Sequence, residues 1–535
     1  MEKVNEILIR IGFLQSFIKD RLREYNETPI NNIWVLENKF KDPFLALVML
    51  NDRNELELTE IIKATLPLIG LIVFFDGTEI KRIQVKNFSD KSFDYTNEVE
   101  SPKKIETTKS LIFGDIDEGF RPLKQIDKSV EGLFFEAHSI IRDIDGLHAD
   151  QALDEVCKFL YAKLYDEESL VKNTYYFFQR CLYSSSEELA SVVRGVYARS
   201  TEYDDRVYSM RIPKYKKSRG VFNTEMTLSA PALVKLVGLF EAIDLSSSKV
   251  DVKGRAFQKM MLPAMRAGLG QYFTPLPIIK FIVDVLNPNV DDLIIDPFSG
   301  SGHFLTQSLF HVTNNNSKIP EKKIHEFKFH KLHGIEKSER MVRISMTDMR
   351  LHGDGHSNIR CTDALLSFDN YEDLKESSFD IVMSNPPFGS ILSKEALSRL
   401  DSFELMKGRN SVPLEILGLE RCIQLLRTGG RLGIVLPESI ITNKNTKFVR
   451  DWLLQKITIV GIVGLPLETF SPYGANIKTV ILFGVKENKS NKGISNKEIL
   501  IGNISSVGYD FKGQDTGDSD INDLIKPLKI LINKI

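Results

Sequence analysis

Two consecutive prolines directly after an apolar run constrain the fold of this chain most strongly. Residues 379–384 have the composition of a buried strand, and Asn385, Pro386, Pro387 and Phe388 follow them. Each proline lacks an amide donor and has a fixed φ, so the pair cannot extend the strand and forces a stiff turn. The turn would present the Asn385 amide oxygen and free backbone carbonyls beside the flat ring of Phe388. Such a site suits a planar substrate with an amino group, such as adenine, cytosine or a glutamine amide, although an ordinary strand-to-loop turn explains the motif alone equally well.

A glycine-rich turn follows another apolar run. Residues 293–296 read Leu-Ile-Ile-Asp, and Gly300 and Gly302 lie before a helix that is predicted to begin near His303. Glycine lets the backbone turn sharply and approach a ligand closely, and the helix amides could bind a carboxylate or a phosphate. The turn lacks the lysine of a Walker loop and the complete glycine spacing of a dinucleotide-binding motif. By itself, this segment is nearly as consistent with a purely structural turn as with a ligand-binding turn.

Two more predicted strands end in carboxylates. Residues 332–336 end at Glu336, and an acid at this place in a doubly wound sheet commonly accepts hydrogen bonds from ribose hydroxyls. The predicted strand over 359–364 contains Asp363, which could bind the amino group of an adenine. A solvated acid at a helix N-terminus is the alternative for Glu336, and a helix N-cap is the alternative for Asp363. Together with the two turns described above, these acids mark four successive strand ends, which favours one ligand-binding edge of an α/β sheet.

With these motifs, the segment 250–486 resembles the adenine-N6 DNA methyltransferases that use S-adenosyl-L-methionine. Within that family it resembles the modification (M) subunits of type I restriction–modification systems. The string Gly-Gln-Tyr-Phe-Thr-Pro at 270–275 carries most of the resemblance, and Asp-Val-Lys-Gly-Arg-Ala-Phe at 251–257 adds to it. The 270–275 string precedes the glycine-rich turn, and the 385–388 turn follows it, which is the γ-class order. Pro275 is also expected to begin a helix over 276–286.

The resemblance implies the fold class and the roles of individual residues. The fold would be α/β, a Rossmann-like S-adenosylmethionine-dependent methyltransferase sheet with an N-terminal helical domain and an extra N-terminal α/β domain. The cofactor would be S-adenosyl-L-methionine, and no metal is expected. The implied catalytic residues are Asn385, Pro386, Pro387 and Phe388. The implied cofactor-binding residues are Gln271, Tyr272, Phe273, Thr274, Asp296, Phe298, Gly300, Ser301, Gly302, His303, Phe304, Glu336, Asp363 and Ala364.

One departure from the family pattern concerns the glycine-rich turn. Members usually read Asp-Pro-Ala-Cys-Gly-Ser-Gly-Gly-Phe, whereas this chain has Phe298, Ser299 and His303 at three of these places. His303 would lie close to the methionine carboxylate of the cofactor, where it either adds a hydrogen bond or lowers the affinity. The spacing of the aspartate and the two other glycines is retained, which favours a working site.

The implied reaction is methyl transfer to the exocyclic nitrogen of an adenine. That nitrogen is a poor nucleophile because its lone pair is delocalised into the ring. Hydrogen bonds from its protons to Asn385 and to the Pro386 carbonyl would localise the lone pair and stabilise the charge that develops in the transition state. The target base must leave the duplex, and Phe388 would then stack on it.

Composition and charge narrow the class of protein. With 535 residues, 42% hydrophobic and 27% charged, the chain is expected to form several globular domains. It shows neither an apolar run of membrane-spanning length nor a signal-peptide pattern, so a cytoplasmic protein is expected. The four cysteines lack metal-ligand spacing. A net charge of −2 means that DNA binding must depend on a local patch or a partner. The clearest basic patch is at 206–219. It would contact DNA phosphates, although a solvated loop explains the same residues equally well.

The first half of the chain is predicted to contain three parts. Residues 1–100 are expected to form an α/β domain, with a helix over 4–25 and strands over 32–36, 45–50, 69–75 and 80–85, the last two forming a hairpin. This part weakly resembles, in degenerate form, the N-terminal nuclease-fold domain of type I restriction R subunits. The Glu-x-Lys motif with which such a nuclease holds its metal is missing from the expected strand. One short substitute lies at 37–39. Residues 101–127 are a predicted linker. Residues 128–250 are a predicted DNA-clamping helical domain, with helices over 130–144, 149–165 and 229–243.

The second half is predicted to contain the methyltransferase domain at 251–490 and a C-terminal tail at 491–535. A helix over 414–426 is expected to end at Thr428-Gly429-Gly430, before a strand over 431–436. Strands over 459–465 and 477–485 would form the sheet edge. The tail is shorter than a target-recognition domain, so the resemblance implies a separate specificity (S) subunit. A restriction subunit and double-stranded DNA are the other expected partners. A segment interrupted by Pro527 is expected to dock on the S subunit or to pack on its own domain, through Leu524, Ile525, Leu528 and Ile532.

Three other functions fit parts of the pattern. A methyltransferase that acts on a protein glutamine would use a similar Asn-Pro-Pro turn, although usually with tyrosine in place of Phe388. A non-catalytic module would result if His303 marks a decayed site. A fused restriction–modification enzyme would result if residues 1–100 still cut DNA.

Overall fold

The computed structural model describes most of the chain from residue 132 onward and short pieces before it. The described ranges are 132–169, 177–180, 185–211, 225–248, 274–314, 319–353, 358–371, 373–393, 403–474, 476–487 and 498–535, with short pieces between 4 and 125 and between 252 and 261. The chain forms two compact units. The first comprises Met1–Tyr203 and Glu225–Ala256, and the second comprises Asp204–Thr224 and Phe257–Ile535.

Six strands of the first unit form one sheet. In spatial and chain order they are β1 Leu22–Glu24, β2 Ile33–Glu37, β3 Pro43–Met49, β4 Leu71–Phe75, β5 Ile80–Gln84 and β6 Asp94–Thr96. Alternate residues of the central strands are buried in two apolar clusters, one including Leu58 and the other Leu8. The expected β4–β5 hairpin is confirmed by their antiparallel pairing. The predicted helix over 4–25 is wrong at its end, because Leu22–Glu24 pairs with the next strand, β2, and this pairing outweighs the local helical pattern.

The helical region lies mainly in the first unit. Its helices are α1 Leu133–Asp145, α2 Ala149–Ser169, α3 Ser186–Arg211 and α4 Ala230–Phe240, and two short parallel strands are β7 Lys124–Gln125 and β8 Ile243–Asp244. Gly146 separates α1 from α2 as expected, with a φ of 65° that glycine adopts without strain. The predicted apolar face of α2 is buried at Leu153, Val156, Leu160 and Leu164. The helix predicted over 229–243 ends at Phe240, because the following residues form β8.

Several predictions fall on residues outside the described ones. They are the Glu-x-Lys substitute at 37–39, most of the linker at 101–127, and the side chains of the basic patch at 206–219. The domain boundaries and the nuclease resemblance of residues 1–100 therefore stay predictions.

The second unit is built on an eight-stranded sheet. The described strands of this unit, eight of which form the sheet, are β9 Ile294–Asp296, β10 Leu332–Glu336, β11 Ile359–Cys361, β12 Phe379–Ser384, β13 Ile391–Ser393, β14 Ser411–Pro413, β15 Leu426–Pro437, β16 Thr458–Gly464, β17 Thr479–Val485, β18 Leu500–Asn503, β19 Val507–Tyr509 and β20 Asp515–Ser519. The sheet order is β11-β10-β9-β12-β15-β17-β16-β18, while β13 pairs with β14 and β19 with β20. The five strands from β11 to β15 are parallel, which confirms the predicted doubly wound α/β sheet.

Helices cover this sheet. They are α5 Leu276–Leu286, α6 His303–Asn314, α7 Glu321–Glu326, α8 Glu339–Leu351, α9 Leu414–Leu425, α10 Glu438–Thr442, α11 Lys447–Lys456 and α12 Ile525–Asn533, with a π-helical turn at Phe327–Lys331 and 3₁₀ turns at Phe368–Asn370, Glu404–Met406, Lys444–Thr446, Leu467–Thr469, Ser471–Tyr473 and Ile521–Leu524. The sequence predicted both α5, directly after Pro275, and the start of α6. Among the described residues, none of the helices has both the length and the apolar character to cross a membrane.

Two predictions for the second half of the sheet are wrong. The helix predicted over 414–426 agrees with the structure to within one residue, but residues 428–430 do not end it, because β15 begins at Leu426 and pairs with Phe379 of β12. Gly429, with a φ of 77°, lets this long strand bend. The strands β16 and β17 are not the sheet edge, since β18 pairs outside β16. Both errors come from pairing partners that are distant in sequence.

The C-terminal helix α12 packs on its own unit. Leu528 and Ile532 are buried, and a Cβ at Gly461 of β16 would collide with the Leu528 side chain. Pro527 lies in the first turn of α12, where its missing donor is not needed, so it does not interrupt the helix. Of the two alternatives for this segment, the structure shows packing on its own unit for Leu528 and Ile532.

Replacing Leu528 by alanine should lower the free energy of unfolding of the second unit by about 2–5 kcal/mol, because a buried side chain leaves a cavity. Urea unfolding followed by circular dichroism measures this change. The matched control is Ile530→Ala on the same helix, where the side chain is 48% exposed and little loss is expected. Equal effects of the two substitutions would contradict the packing described here.

Candidate functional site

A cavity of about 670 Å³ lies where β9, β10, β11 and β12 end. Its volume is in the usual range for small-molecule sites. From β9 the chain continues to β10 and β11 on one side, whereas β12 lies on the other side of β9. Ligands of doubly wound folds bind at this point of reversal, outside the carboxyl ends of the strands.

Most of the predicted site residues line this cavity. Those on its wall are Thr274, Asp296, Phe298, Gly300, Ser301, His303, Phe304, Glu336, Asp363, Ala364, Asn385, Pro386, Pro387 and Phe388. Gln271, Tyr272 and Phe273 lie outside the described residues. The described residues contain no group of three or more His, Cys, Asp or Glu side chains that could hold a metal ion.

The glycine-rich turn needs both of its predicted glycines. Gly300 and Gly302 have φ values of 50° and 79°, in the left-handed region. The Gly300 amide donates to Oε2 of Glu336 at 3.1 Å, which ties the turn to β10. Gly302 has a different role from the one predicted, because it faces α8 and a Cβ there would collide with Oγ of Ser345. Close helix packing, and not only ligand contact, therefore requires this glycine.

Asp296 joins the glycine-rich turn to the Asn-Pro-Pro-Phe turn. Its Oδ1 accepts hydrogen bonds from the Ser384 hydroxyl at 2.6 Å and from the Phe298 amide at 3.0 Å. Burial raises the pKa of this carboxyl to about 7, although both hydrogen bonds oppose that rise. Ser384 immediately precedes Asn385, so one carboxyl fixes both turns. This role of Ser384 was not predicted, since its only signal in the sequence is a hydroxyl at the end of an apolar strand.

The two remaining strand-end acids are also held by local hydrogen bonds. Glu336 accepts from the Ser338 amide at 2.8 Å as well as from the glycine-rich turn, and burial raises its pKa. Asp363 accepts from the Leu365 amide at 3.0 Å, and the Lys337 ammonium donates to its other oxygen at 2.8 Å. No helix follows Asp363, so its alternative interpretation as a helix N-cap is wrong. Lys337 also lines the cavity and was not predicted.

The Asn-Pro-Pro-Phe turn is held from two sides. Asn385 donates from Nδ2 to Oγ1 of Thr274 at 2.9 Å, whereas its buried Oδ1 has no hydrogen-bond partner among the described residues. Phe388 lies on the cavity wall and is 8% exposed. Gly418 lets α9 approach the turn closely, since a Cβ there would lie 2.7 Å from Cβ of Pro386. The turn thus presents one unused amide oxygen beside an aromatic ring.

His303 lies at the start of α6 on the cavity wall. Its Nδ1 lies 3.2 Å from Oγ of Ser301, and its buried Nε2 has no hydrogen-bond partner within the described part of the chain. Burial lowers the pKa of the imidazole, and the Asp348 carboxylate partly opposes this change. The ring therefore has one polar nitrogen that the described residues leave unused.

Arg421 supports the wall of the cavity that follows β11. This buried side chain donates from Nη2 to the Leu366 carbonyl at 2.8 Å. Its guanidinium lies 4.3 Å from the ring centre of Phe368 and 4.9 Å from that of Phe403. The contact fixes the backbone beside Asp363. This role of Arg421 was not predicted, although an arginine among apolar helix residues is a recognisable signal.

Comparison with known proteins identifies relatives in sequence. Residues 251–526 match the family described as N-6 DNA Methylase. The type I restriction enzyme EcoEI methylase subunit of Escherichia coli is 26% identical over 382 residues, covering 67% of this chain and 75% of that protein. The StySJI methylase subunit of Salmonella typhimurium is 27% identical over 287 residues, covering 50% of this chain. That alignment spans only 52% of the StySJI subunit.

Solved structures show a similar fold. A chain from a study of complex assembly and conformational transition in a type I restriction–modification system has a TM-score of 0.57 at 17% identity, covering 75% of this chain and 82% of that chain. The type I restriction–modification system methyltransferase subunit from Streptococcus thermophilus has a TM-score of 0.51 at 15% identity, covering 76% of this chain and 93% of that chain. The predicted resemblance is confirmed, because the family match covers more than half of the chain: this protein belongs to the N-6 DNA Methylase family.

Proposed function

We propose that this chain is the modification subunit of a restriction–modification system and methylates the N6 amine of an adenine in double-stranded DNA. The observation that carries the proposal is Oδ1 of Asn385, an acceptor without a partner among the described residues, on a cavity that also holds the glycine-rich turn and the strand-end acids. The family match favours DNA over a protein glutamine as the methyl acceptor.

The residues present fit S-adenosyl-L-methionine. The glycine-rich turn leads into α6, where backbone amides and His303 suit the methionine carboxylate. Glu336 suits the ribose hydroxyls, and Asp363 suits the amino group of the cofactor's adenine. S-adenosyl-L-methionine, when bound, supplies a methyl group on a positively charged sulfur. His303 offers an extra polar contact at this end of the cavity, which favours a working site over a decayed one.

Asn385 activates the amine of the target adenine. Its Oδ1 and the Pro386 carbonyl accept the two amine protons, which localises the nitrogen lone pair and stabilises the positive charge that develops on nitrogen. Thr274 holds Nδ2 of the same amide, so the oxygen is directed to the substrate. The stiff turn keeps both acceptors in place before the substrate arrives, so little reorganisation is needed.

Phe388 stacks on the extruded base. An adenine inside a duplex cannot reach a cavity bounded by strand ends, so it must rotate out of the stack. Stacking on an aromatic ring contributes roughly 1–3 kcal/mol per base and offsets part of that cost. Phe388 thus holds the plane of the adenine while Asn385 binds its edge.

A separate specificity subunit reads the DNA sequence in this proposal, and a restriction subunit completes the complex. The proposal is supported by the relatives, which are named methylase subunits of type I restriction enzymes. The cavity contacts described above recognise a base and a cofactor, but they do not read a sequence.

Asn385→Ala should abolish methyl transfer and leave S-adenosyl-L-methionine binding unchanged. The substitution removes the amine acceptor but none of the contacts proposed for the cofactor. Tritium incorporation into DNA measures transfer, and calorimetry measures binding. Asn370→Ala, an exposed asparagine that does not line the cavity, is the control. Full activity of Asn385→Ala would contradict the mechanism, and label in protein instead of DNA would identify a different substrate.

Cofactor affinity should rise by roughly tenfold between pH 6 and pH 8. In the free protein, burial raises the pKa of Glu336, and that of Asp296 to about 7. Ribose hydroxyls and a net positive charge favour ionised carboxylates, so both pKa values fall on binding and protons are released. Binding therefore strengthens as pH rises through the free-protein pKa and levels off above it.

Calorimetry in buffers of different ionisation enthalpy measures both affinity and proton release. Glu336→Gln should weaken binding and flatten its pH dependence. Glu339→Gln is the matched control, because that carboxylate is 64% exposed on α8. Affinity that is constant from pH 6 to pH 8 would contradict the assignment of these acids to the cofactor.

The purified chain alone should bind S-adenosyl-L-methionine but methylate DNA weakly, because a separate subunit is proposed to read the sequence. Tritium incorporation is compared for the chain alone and for the chain expressed with its neighbouring genes. Robust site-specific methylation by the chain alone would refute the need for a specificity subunit.

A further inference from the structure

A short hairpin beside the Asn-Pro-Pro-Phe turn carries an exposed isoleucine. In the antiparallel pair β13–β14, Ile391 lies opposite Pro413. Its neighbours Ser390 and Leu392 line the cavity, whereas Ile391 is 68% exposed. Single exposed apolar side chains are common on protein surfaces, so the exposure of Ile391 alone assigns it no role. Its place, three residues after Phe388 and between two residues that line the cavity, sets it apart.

The backbone that carries Ile391 is fixed. The Leu414 amide donates to the Ser390 carbonyl at 2.8 Å, which joins the hairpin to the first residue of α9. The Glu415 carboxylate, also on α9, accepts a hydrogen bond from the backbone of Gly389. Ile391 is therefore presented by a supported strand directly after the catalytic turn.

The same hairpin leads to a positive charge. Arg409, two residues before β14, places its guanidinium carbon 3.3 Å from the ring centre of Phe448 on α11. No carboxylate of the described residues forms an ion pair with Arg409. Lys407 and Lys444, close to these two residues in sequence, are exposed. A hairpin that carries an exposed apolar side chain and leads to exposed positive charge suits a DNA duplex, with its apolar base stack and charged backbone.

We propose, on the basis of the function proposed above, that Ile391 enters the duplex as the target adenine leaves it. An extruded base leaves a gap in the stack and an unpaired partner base, and apolar side chains such as isoleucine fill gaps of this kind. Arg409 contacts a phosphate beside the gap and is held in place by Phe448. The occupant of this surface is therefore the DNA duplex that flanks the extruded adenine.

Ile391→Ala in the full complex should reduce base extrusion without changing cofactor binding. The probe is 2-aminopurine at the target position of a duplex that carries the mapped recognition site, with S-adenosyl-L-homocysteine present. Its fluorescence rises when it leaves the stack. The variant should show a smaller rise and a roughly tenfold higher KM for DNA. Ile391→Leu, which keeps an apolar side chain of the same size, should restore both values.

A mismatched target base distinguishes a gap-filling role from a structural one. The mismatch lowers the cost of extrusion, so Ile391→Ala should approach wild-type activity on that duplex. Leu454→Ala is the control, because Leu454 is 64% exposed on α11. Wild-type behaviour of Ile391→Ala on the matched duplex, or an equal defect on both duplexes, would overturn the proposal. An equal defect would instead indicate a contact with another subunit.

The charge on the hairpin is tested by salt dependence. Arg409→Ala should reduce the slope of log affinity for DNA against log salt by about one, whereas Ile391→Ala should leave the slope unchanged. An unchanged slope for Arg409→Ala would remove the phosphate contact from the proposal. If the wild-type complex neither extrudes nor methylates adenine, the proposed function itself fails. A defect restricted to the Ile391 variant leaves that function intact.

Discussion

The hydrogen bond from Ser384 to the buried Asp296 carboxyl is the contact on which the site depends. It joins the ends of the neighbouring strands β9 and β12, and the same carboxyl oxygen accepts the Phe298 amide. The glycine-rich turn and the Asn-Pro-Pro-Phe turn, on the proposed cofactor and base sides of the cavity, are therefore fixed relative to each other by one residue. This arrangement requires a buried acid, and burial raises its pKa to about 7. The geometry of the site thus includes a carboxyl with an unfavourable electrostatic position.

Two close approaches by helices give the cavity its shape. Gly302 lets α8 reach the glycine-rich turn, and Gly418 lets α9 reach Pro386. At each place a larger side chain would push the helix away from the ligand-binding edge. Arg421, also on α9, holds the backbone beside Asp363 through the Leu366 carbonyl. The helix α9 therefore positions both the Asn-Pro-Pro-Phe turn and one wall of the proposed cofactor site, although few of its side chains touch the cavity.

Local signals made much of this site predictable. The strand ends at Asp296, Glu336 and Ser384 and the starts of α5 and α6 follow from apolar runs, glycines and prolines that act within a few residues. The errors have a common cause. The strand β18 and the early start of β15 depend on partners that are distant in sequence, and β1 depends on the next strand, β2. The residue spacing within one element reveals none of these pairings. The contacts made by Lys337 and Arg421 were missed for the same reason. The predicted cofactor residues at 271–273 lie outside the described part of the chain.

Under the proposed function, the orientation of the Asn385 amide also bears on which bases the site tolerates. With its nitrogen on Thr274, the amide leaves its oxygen, which can only accept a hydrogen bond, for the substrate. Hypoxanthine, the deamination product of adenine, presents a carbonyl at the same position, so two acceptors would face each other. An amide oxygen at this position therefore favours an amine and disfavours a deaminated base.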